Sequence, residues 1–568
     1  MNPAVGALEE NANRIITDAD GAAGAGAQLI VFPELALCGY PPEDLVLRPH
    51  FIQDCDKQLK RLAAKLPKQV FTVVGAPITD GTGRYNAAVV FHGGKITGIY
   101  RKMLLPNYGV FDEKRVFDAG REAFTFDAFG TKVGIHICED SWVTDGAACT
   151  ALAAKKPDLV INLSASPYHR GKQFEREAVF AAAARKLNAP LLFCNQIGGQ
   201  DELVFDGGSA AFDAAGNVTA RAPLFQEYTL MPTWPSNIVG QASLYPESLC
   251  SSYESNDTRS RIREARPTTV EEKFSSLGKL DPVEEVYEAL KLGLRDYVNK
   301  NGFKKTVVAV SGGIDSALVL TLAVDALGKD RVAAVTMPSQ YSSNETLSDA
   351  GEIAKNLGVE FHTIPIFPIY EKFTEELSLL RQGSGGQAVW DPKPGLTEEN
   401  LQARIRGTLI MALSNKFGWL VLTTGNKSEF ATGYCTLYGD MAGGFAVIKD
   451  VPKTLVFDLC RWRNRKGIVI PPSTIDRPPT AELRPDQKDS DSLPPYDVLD
   501  PILEAYVEKD MGVAEMLAAG FDEAAVRKAV RLVDLSEYKR RQGPPGIKIT
   551  PKAFGRDRRM PITNRYRG

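Results

Sequence analysis

The sequence has few of the residues on which several common chemistries depend. It contains five histidines and eight cysteines in 568 residues, and no two cysteines form a Cys-x-x-Cys pair. Scattered cysteines predict neither a zinc site nor a disulfide framework, and the scarcity of histidine limits Cys-His and Ser-His catalysis. No apolar run reaches the ~18–20 residues of a membrane span, and "MNPAVGALEENANR" lacks the basic start and apolar core of a signal peptide. We therefore expect a cytoplasmic protein with no membrane partner.

Charge gives little indication of a polyanionic partner. The formal net charge is −3, with 44% hydrophobic and 24% charged residues, as in ordinary globular proteins. Such a balance provides no general attraction to nucleic acid. The segment 539–568 is a local exception, with ten lysines and arginines against one acid, Asp557. It could form a nucleic-acid patch, but its "GPPG" and "TPKAFG" interruptions favour folding back onto a phosphate-rich ligand, so we expect no nucleic-acid partner.

The length and the pattern of the chain predict two domains. A chain of 568 residues exceeds the ~250–300 over which a single core stops growing. Helical and strand patterns alternate up to about residue 230, lapse, and restart with a strong helix at "DPVEEVYEALKLGLRDYVNKNG", with Asp281 at the N-cap and Gly302 past the end. The sequence therefore predicts domains at 1–240 and 276–568, joined by a linker at 241–275.

Both domains are expected to be of the α/β class. In the first, apolar runs at 28–32, 71–78, 131–138, 158–164 and 190–196 read as strands, with a hairpin around residues 93–94 and a helix at 174–187. In the second, strands at 306–310, 332–336, 359–365 and 419–424 are separated by helices at 316–327, 345–357 and 398–417. Strands that alternate with helices in this way predict a doubly wound parallel sheet in the second domain.

The corner "TVVAVSGGIDS" joins a strand to a helix through a glycine pair. Ser311, Gly312 and Gly313 allow backbone N–H groups to approach an anion closely, and Ser316 is expected to cap the helix and to donate to phosphate. The spacing and the lysine of a Walker A loop are absent. The corner therefore predicts a site that holds two outer phosphates as a leaving unit, with a metal on Asp315. The alternative is a Gly-Gly turn that binds nothing.

Three residues of the first domain follow predicted strands: Glu34 in "VFPELALCGY", Lys102 in "IYRKML" and Cys138 in "GIHICEDSW". A poorly hydrated glutamate makes a useful base, a thiol is a competent acyl nucleophile, and an ammonium would steady an oxyanion. Taken singly, each also has a plain structural interpretation as a loop carboxylate, a hairpin-edge charge or a small core residue. A dyad of Cys138 with His136 is disfavoured, because residues two apart on a strand point in parallel.

The second domain resembles the NAD synthetases of the ATP-pyrophosphatase family. The resemblance rests on "SGGIDS", "VTMPSQYSSNET", "TEENLQARIRG", "LTTGNKSEFATGYCTLYGDMAGG" and "SEYKRRQGPPGIKITPKAFGRDRR", in that order. It implies that ATP and deamido-NAD are substrates and that Mg²⁺ accompanies ATP. The positions it implies for ATP are Ser311, Gly312, Gly313, Ile314, Asp315, Ser316 and Thr424; for deamido-NAD they are Asn400, Glu429 and Lys539; for Mg²⁺ they are Asp315 and Glu429. Lys449 and Asp440 are weaker candidates.

The first domain resembles the nitrilase superfamily, whose members hydrolyse amides with a Glu-Lys-Cys triad. The order and context of Glu34, Lys102 and Cys138 carry this resemblance over residues 1–230. It implies an α-β-β-α sandwich and a catalytic role for the three residues. By the same resemblance Tyr108, Ser166 and Lys172 would bind glutamine, and Glu113 would be a second glutamate near the triad.

Together the two halves resemble the glutamine-dependent NAD synthetases. That family implies transfer of ammonia from glutamine to an adenylated nicotinic acid carboxylate, through an internal and largely apolar passage, in a homo-oligomer. The chain departs from the pattern at one point, since Met1 directly precedes "NPAVG" where a first strand is usual. Either translation starts upstream, which we favour, or the chain has lost a central strand and its glutaminase domain is less stable for it. For the function of the whole chain, two alternatives remain open. One is a tRNA-modifying or GMP-forming enzyme with the same phosphate loop, and the other is a non-catalytic nucleotide-binding scaffold.

Overall fold

The computed structural model describes residues 1–233, 280–380, 395–484 and 487–565. The chain divides into two compact units: the first contains residues 1–200 and continues from 205, and the second contains residues 201–204 and continues from 281. The linker predicted at 241–275 lies outside the described residues.

The first unit alternates helices and strands as the sequence predicts. Its helices are α1 (Leu8–Gly24), α2 (Pro49–Lys65), α3 (Ala147–Ala154) and α4 (Lys172–Leu187). Its strands are β1 (Leu29–Val31), β2 (Phe71–Thr79), β3 (Arg84–His92), β4 (Lys95–Arg101), β5 (Thr125–Ala128), β6 (Thr131–Ile137), β7 (Leu159–Ser164), β8 (Leu191–Asn195), β9 (Ile197–Gln200), β11 (Ala210–Phe212) and β12 (Val218–Arg221), together with the second half of β10 (Leu203–Asp206).

Two sheets of this unit pack face to face. One has the order β1-β2-β3-β4 and the other the order β12-β11-β8-β7-β6-β5, while β9 and β10 form a separate pair. Val73 and Val90 of the first sheet share an apolar core with Ile135 and Ile161 of the second. Helices α3 and α4 cover the outer face of the six-stranded sheet, and α1 and α2 pack together with α2 against β2. The layers are therefore α-β-β-α, which confirms the expected sandwich.

Three strand ends of the sandwich position the candidate catalytic residues. Glu34 follows β1, Lys102 follows β4 and Cys138 follows β6. The chain after β1 passes directly over Gly75 of β2, where an added Cβ would lie 2.3 Å from the Leu35 nitrogen. Only glycine permits this close approach, which brings the Glu34 loop down onto the sheet.

The second unit is built around a parallel sheet. Its helices are α5 (Pro282–Lys300), α6 (Ile314–Leu327), α7 (Asn344–Leu357), α8 (Phe367–Ser378), α9 (Leu396–Phe417), α10 (Lys427–Thr432), α11 (Lys453–Asn464), α12 (Pro472–Asp476), α13 (Tyr496–Leu503), α14 (Val513–Ala518), α15 (Glu523–Leu535) and α16 (Glu537–Arg540). Its strands are β13 (Thr306–Ala309), β14 (Val332–Thr336), β15 (Glu360–Thr363), β16 (Leu420–Thr423) and β17 (Phe445–Ala446).

The order of these strands is β15-β14-β13-β16-β17, and every neighbouring pair is parallel. The direction of strand succession reverses between β13 and β16, so the carboxyl ends of these two strands form the switch point at which open α/β sheets bind ligands. Asp281 accepts hydrogen bonds from the nitrogens of Val283 and Glu284 at the start of α5. Both the doubly wound sheet and the helix that opens this domain are confirmed.

No helix within the described ranges combines the length and the hydrophobicity that a membrane span requires.

The described part of the basic segment 539–568 packs onto its own unit. Lys548 pairs with Asp557 at 2.9 Å, and Arg540 pairs with Glu537 at 2.8 Å. Acidic partners and backbone carbonyls of the second unit therefore engage these two cations directly.

Candidate active site

Glu34 and Lys102 form a fully buried ion pair in the first unit. The Lys102 Nζ lies 2.7 Å from Glu34 Oε1 and 2.9 Å from Glu113 Oε1, and none of the three side chains is more than 5% exposed. Burial alone lowers the pKa of Lys102, but the charges of Glu113 and Glu34 outweigh it and hold that pKa well above its ordinary value. Lys102 is therefore a permanent cation between two carboxyl groups.

The Glu34 carboxyl is held by three donors. Besides Lys102, the Asn86 Nδ2 donates to Oε1 at 2.7 Å and the Ala165 nitrogen donates to Oε2 at 3.0 Å. Charge-assisted hydrogen bonds of this kind fix the orientation of a carboxylate. Asn86 was not predicted from the sequence, although an asparagine in the otherwise apolar run of β3 is the signal that could have revealed it.

Cys138 occupies a strained turn just past β6. Its φ is 42°, in the left-handed region, and its carbonyl accepts a hydrogen bond from Asn162 Nδ2 at 3.3 Å. Burial, and then the charge of Glu34, raise the pKa of the Cys138 thiol well above its ordinary value, while Lys102 opposes them. The resting thiol is therefore protonated and needs a base to become a nucleophile.

His136 does not act on this thiol. Its Nδ1 lies 3.0 Å from Ser141 Oγ, and burial lowers the pKa of the imidazole. The Cys138–His136 dyad that the sequence disfavours is thus replaced by a contact between His136 and Ser141.

Two of the residues expected to bind glutamine contact the segment 139–142, which directly follows Cys138. Burial, and then the charge of Glu139, raise the pKa of Tyr108, whereas burial lowers the pKa of Lys172. The Tyr108 hydroxyl donates to Glu139 at 2.9 Å, and the Lys172 Nζ lies 4.2 Å from the centre of the Trp142 ring. Ser166 is buried, and its backbone nitrogen donates to Asn195 Oδ1. The neighbouring Ala165 nitrogen donates to Glu34. The structure gathers these positions around the triad.

Glu113 completes the cluster around Lys102. It accepts a hydrogen bond from the Tyr40 hydroxyl at 2.9 Å as well as from Lys102. Burial raises the pKa of Glu113 to about 7, although Lys102 opposes the shift. This carboxyl therefore changes charge within the physiological range of pH.

In the second unit the loop 311–316 lies at the switch point. Gly312 has a φ of 85°, and a Cβ there would lie 2.1 Å from the Thr346 carbonyl oxygen, so the turn requires glycine. The expectation that Ser316 caps α6 is wrong. Gly313 is the N-cap, and the Ser316 hydroxyl, already inside the first turn, donates to the Gly313 carbonyl and accepts from the Ser311 nitrogen. Ile314 is the first residue of α6.

Asp315 and Glu429 face one lysine that the sequence did not reveal. The Lys453 Nζ contacts Asp315 Oδ2 and lies 3.6 Å from Glu429 Oε1. Burial lowers the pKa of Lys453, but the two carboxylates outweigh it and hold that pKa above its ordinary value. Burial, and then the charge of Asp315, raise the pKa of Glu429 to about 8. Nothing in "DVPKT" signals that Lys453 reaches a loop more than a hundred residues earlier.

The donor set fits Mg²⁺. Carboxylate oxygens are its preferred protein ligands, and Asp315 and Glu429 already share one cation, the Lys453 ammonium. No three histidine, cysteine or acidic side chains within the described part of the chain converge on a metal position. The protein therefore offers two carboxylates, and phosphate oxygens and water would have to complete the shell.

Asn400 and Lys539 converge on the loop after α10. Asn400 Oδ1 accepts a hydrogen bond from Thr436 Oγ1 at 2.7 Å, and the Lys539 Nζ donates to the carbonyls of Gly433 and Cys435, each at 2.7 Å. Glu429 lies on α10 itself, and Thr424 directly follows β16. The positions expected for deamido-NAD therefore surround one loop.

The two weaker candidates lie differently. The Lys449 Nζ donates to the Pro544 carbonyl, whereas Asp440 accepts from the Thr436 nitrogen on the same loop as Asn400. A cleft of about 540 Å³ lies beside that loop, lined among others by Gly407, Tyr438 and Gln542.

Comparison with known proteins agrees with this geometry. Residues 1–242 match the carbon-nitrogen hydrolase family, and residues 286–543 match the NAD synthase family. The glutamine-dependent NAD(+) synthetases of Synechocystis sp. and Thermotoga maritima are each 45% identical to this chain, over 100% of it and 98% of their own length. The chain belongs to the glutamine-dependent NAD(+) synthetase family.

A solved structure shares both units. The glutamine-dependent NAD+ synthetase of Acinetobacter baumannii in complex with ADP is 41% identical, with a TM-score of 0.72 over 99% of this chain and 97% of that one. Membership of this family favours the NAD synthetase interpretation over the tRNA-modifying, GMP-forming and scaffold alternatives.

Proposed function

We propose that this chain forms NAD from deamido-NAD, ATP, L-glutamine and water, releasing AMP, diphosphate and L-glutamate, with glutamine hydrolysed in the first unit. The observation that carries the glutaminase assignment is the buried Lys102–Glu34 pair, at 2.7 Å, beside a thiol that burial keeps protonated. A protonated thiol next to a fixed carboxylate is the arrangement that general-base activation of a nucleophile requires.

In the glutaminase reaction Cys138 Sγ attacks the amide carbonyl carbon of glutamine as Glu34 takes the thiol proton. The ammonium of Lys102 stabilises the oxyanion of the tetrahedral intermediate. Glu34 then delivers the proton to the leaving nitrogen, the C–N bond breaks, and ammonia departs from a γ-glutamyl thioester. Water, deprotonated by Glu34, cleaves the thioester to glutamate and restores the thiol. Tyr108, Ser166 and Lys172 hold the substrate in this scheme.

In the second unit the deamido-NAD carboxylate attacks the α-phosphorus of ATP and displaces diphosphate. The loop 311–316 binds the departing phosphates through its backbone N–H groups and the positive end of α6, and Thr424, which directly follows β16, contacts ATP. Asn400, Glu429 and Lys539 bind deamido-NAD. Asp315 and Glu429 would hold Mg²⁺, which when bound neutralises charge on the phosphates.

Ammonia from the first reaction attacks the acyl carbon of the adenylate, so that the C–N bond of the carboxamide forms as the bond to AMP breaks. We propose that this ammonia reaches the second unit without release, in a homo-oligomeric enzyme of the cytoplasm. Large apolar side chains exposed on α8 and α9 support self-association: Phe367, Phe373, Leu396 and Phe417.

Label transfer tests the proposal. With amide-¹⁵N glutamine, ATP and deamido-NAD, the wild type should place ¹⁵N in the NAD carboxamide, as measured by mass spectrometry. Asp315→Asn should still release glutamate but should lower NAD formation at least about 100-fold with either glutamine or ammonia, because one of the two carboxylates that would hold Mg²⁺ is lost. The exposed Asp330→Asn is the matched control. Label that never enters NAD in the wild type contradicts the proposal.

The pH dependence of the glutaminase should report Glu113. Below pH 7 a neutral Glu113 leaves the whole charge of Lys102 acting on Glu34, which weakens Glu34 as a base; above pH 7 the ionised Glu113 shares that charge. Glutamate release by the wild type should therefore rise about 10-fold on passing upward through pH 7. Glu113→Gln should stay near the lower level and lack this step. A Gln variant with the same step at pH 7 would assign the ionisation to another group.

A further inference from the structure

Asp140 lies two residues after Cys138 and is fully buried. Its carboxylate accepts four hydrogen bonds. Oδ1 accepts from the nitrogens of Met103 at 3.2 Å and Leu104 at 2.8 Å, and Oδ2 accepts from the Tyr100 hydroxyl at 2.8 Å and the Ile137 nitrogen at 3.0 Å. An ionised carboxylate has about four lone-pair sites. All of them are therefore occupied, and Asp140 has none left with which to act as a base toward Cys138.

The four donors belong to two separate segments. Tyr100, Met103 and Leu104 flank Lys102 at the end of β4, whereas Ile137 directly precedes Cys138 at the end of β6. These strands belong to different sheets of the sandwich. One carboxylate thus joins the segment of the lysine to the segment of the thiol across the interface between the sheets.

The chemistry requires this connection. Apolar packing between the two sheets is non-directional, so it cannot by itself fix the distance between an ammonium and a sulfur to a fraction of an ångström. Cys138 also has a left-handed backbone that its surroundings must hold in place. Directional hydrogen bonds to the residues on either side supply both constraints.

We propose that Asp140 is a positioning residue of the glutaminase reaction, which holds Lys102 and Cys138 in their mutual geometry through hydrogen bonds to both segments. This inference rests on the proposed function. The charge of Asp140 is directed at three backbone donors and the Tyr100 hydroxyl. Buried donors that lose such an acceptor must move or remain unpaired.

Asp140→Asn is the direct test, because it keeps the shape of the side chain and replaces one acceptor by a donor. The kcat for glutamate release should fall about 100-fold, the cost expected of a displacement near 1 Å. The KM for glutamine should stay within about 3-fold, because the substrate contacts are untouched. NAD formation from ammonia should be unchanged. Because unfolded enzyme would also lower the apparent kcat at constant KM, the urea unfolding transition of the variant is compared with that of the wild type, and kcat is calculated per folded molecule.

Tyr100→Phe provides a milder variant. It removes one of the four donors and leaves the carboxylate in place, so kcat should fall about 5–10-fold at constant KM, as expected for one neutral hydrogen bond. Asp158→Asn is the matched control. Asp158 is exposed and accepts a hydrogen bond from the backbone nitrogen of Lys132, near the start of β6 and far along that strand from the triad. The glutaminase activity of Asp158→Asn should equal that of the wild type.

The outcomes separate this inference from the proposed function. A kcat for Asp140→Asn equal to that of the wild type, or a change confined to KM, overturns the positioning role. If Asp140→Asn does not fold, a wild-type kcat for Tyr100→Phe overturns it and a reduced kcat at unchanged KM supports it. If Cys138→Ser still releases glutamate at the wild-type rate, the proposed glutaminase mechanism fails, and the positioning role fails with it.

Discussion

Cys138→Ser should abolish the use of glutamine while leaving the use of ammonia intact. We expect glutamine-dependent NAD formation to fall at least about 1,000-fold, because a hydroxyl is a much weaker nucleophile than a thiol and is harder for Glu34 to deprotonate. Ammonia-dependent NAD formation should remain within 2-fold of the wild type, about the precision of such a comparison. The two rates, measured on one preparation by NAD absorbance after reduction, give the result directly.

The control for this substitution is Cys194→Ser. Cys194 lies in the same unit, and its thiol donates to the Val31 carbonyl at 3.3 Å, a bond that a hydroxyl can also make. This variant should keep both activities. Equal rates with both donors in Cys138→Ser would show that glutamine is hydrolysed elsewhere, and equal losses with both donors would show that the substitution disturbs the synthetase reaction.

The fold could largely be predicted from the sequence, because its strands are strongly apolar and its helix ends carry clear signals. The strand predicted at 332–336 is β14 (Val332–Thr336), and the helix predicted at 345–357 is α7 (Asn344–Leu357). Weaker elements were not predicted. The strand β17 (Phe445–Ala446) has only two residues, and the helices after residue 450 lie among prolines and depend on packing such as that around Leu499 and Val526.

The site could be predicted only where a motif or a strand end signals it. Glu34, Lys102 and Cys138 each follow a strand, so their convergence follows from the order of strands in the sandwich. Asn86, Asp140 and Lys453 act over 52, 37 and 138 positions of the chain on Glu34, Met103 and Asp315. Contacts of this kind are fixed by tertiary packing, and of these three residues only Asn86, a polar residue in the apolar run of β3, is marked in the local sequence pattern.

Lys102→Met should both eliminate glutamine hydrolysis and destabilise the protein. The variant leaves the carboxyls of Glu34 and Glu113 buried without a countercharge. Removal of one partner from a buried ion pair costs about 3–5 kcal/mol. In urea unfolding of the full chain, followed by tryptophan fluorescence at pH 8, the first transition should move to lower urea concentration, and the free energy of unfolding obtained from it should fall by that amount.

The pH dependence of this loss identifies its cause. Without Lys102 the two carboxyls bind protons more tightly in the folded state than in the unfolded state, so stability falls as pH rises above the ordinary glutamate range. Lys102 itself has a pKa above its ordinary value and titrates outside this window. The deficit of the variant should therefore be largest at pH 8 and should shrink toward pH 5, where the carboxyls can be neutral.

Lys57→Met is the matched control, because the pair of Lys57 with Asp54 is exposed and contributes little. It should unfold like the wild type at both pH values. A deficit in Lys102→Met that is equal at pH 5 and pH 8 would point to lost packing of the lysine stem, since the removal of apolar contacts does not depend on protons. A deficit that grows with pH arises from the uncompensated charges, and the same charges explain why the proposed glutaminase site holds a buried lysine between two glutamates.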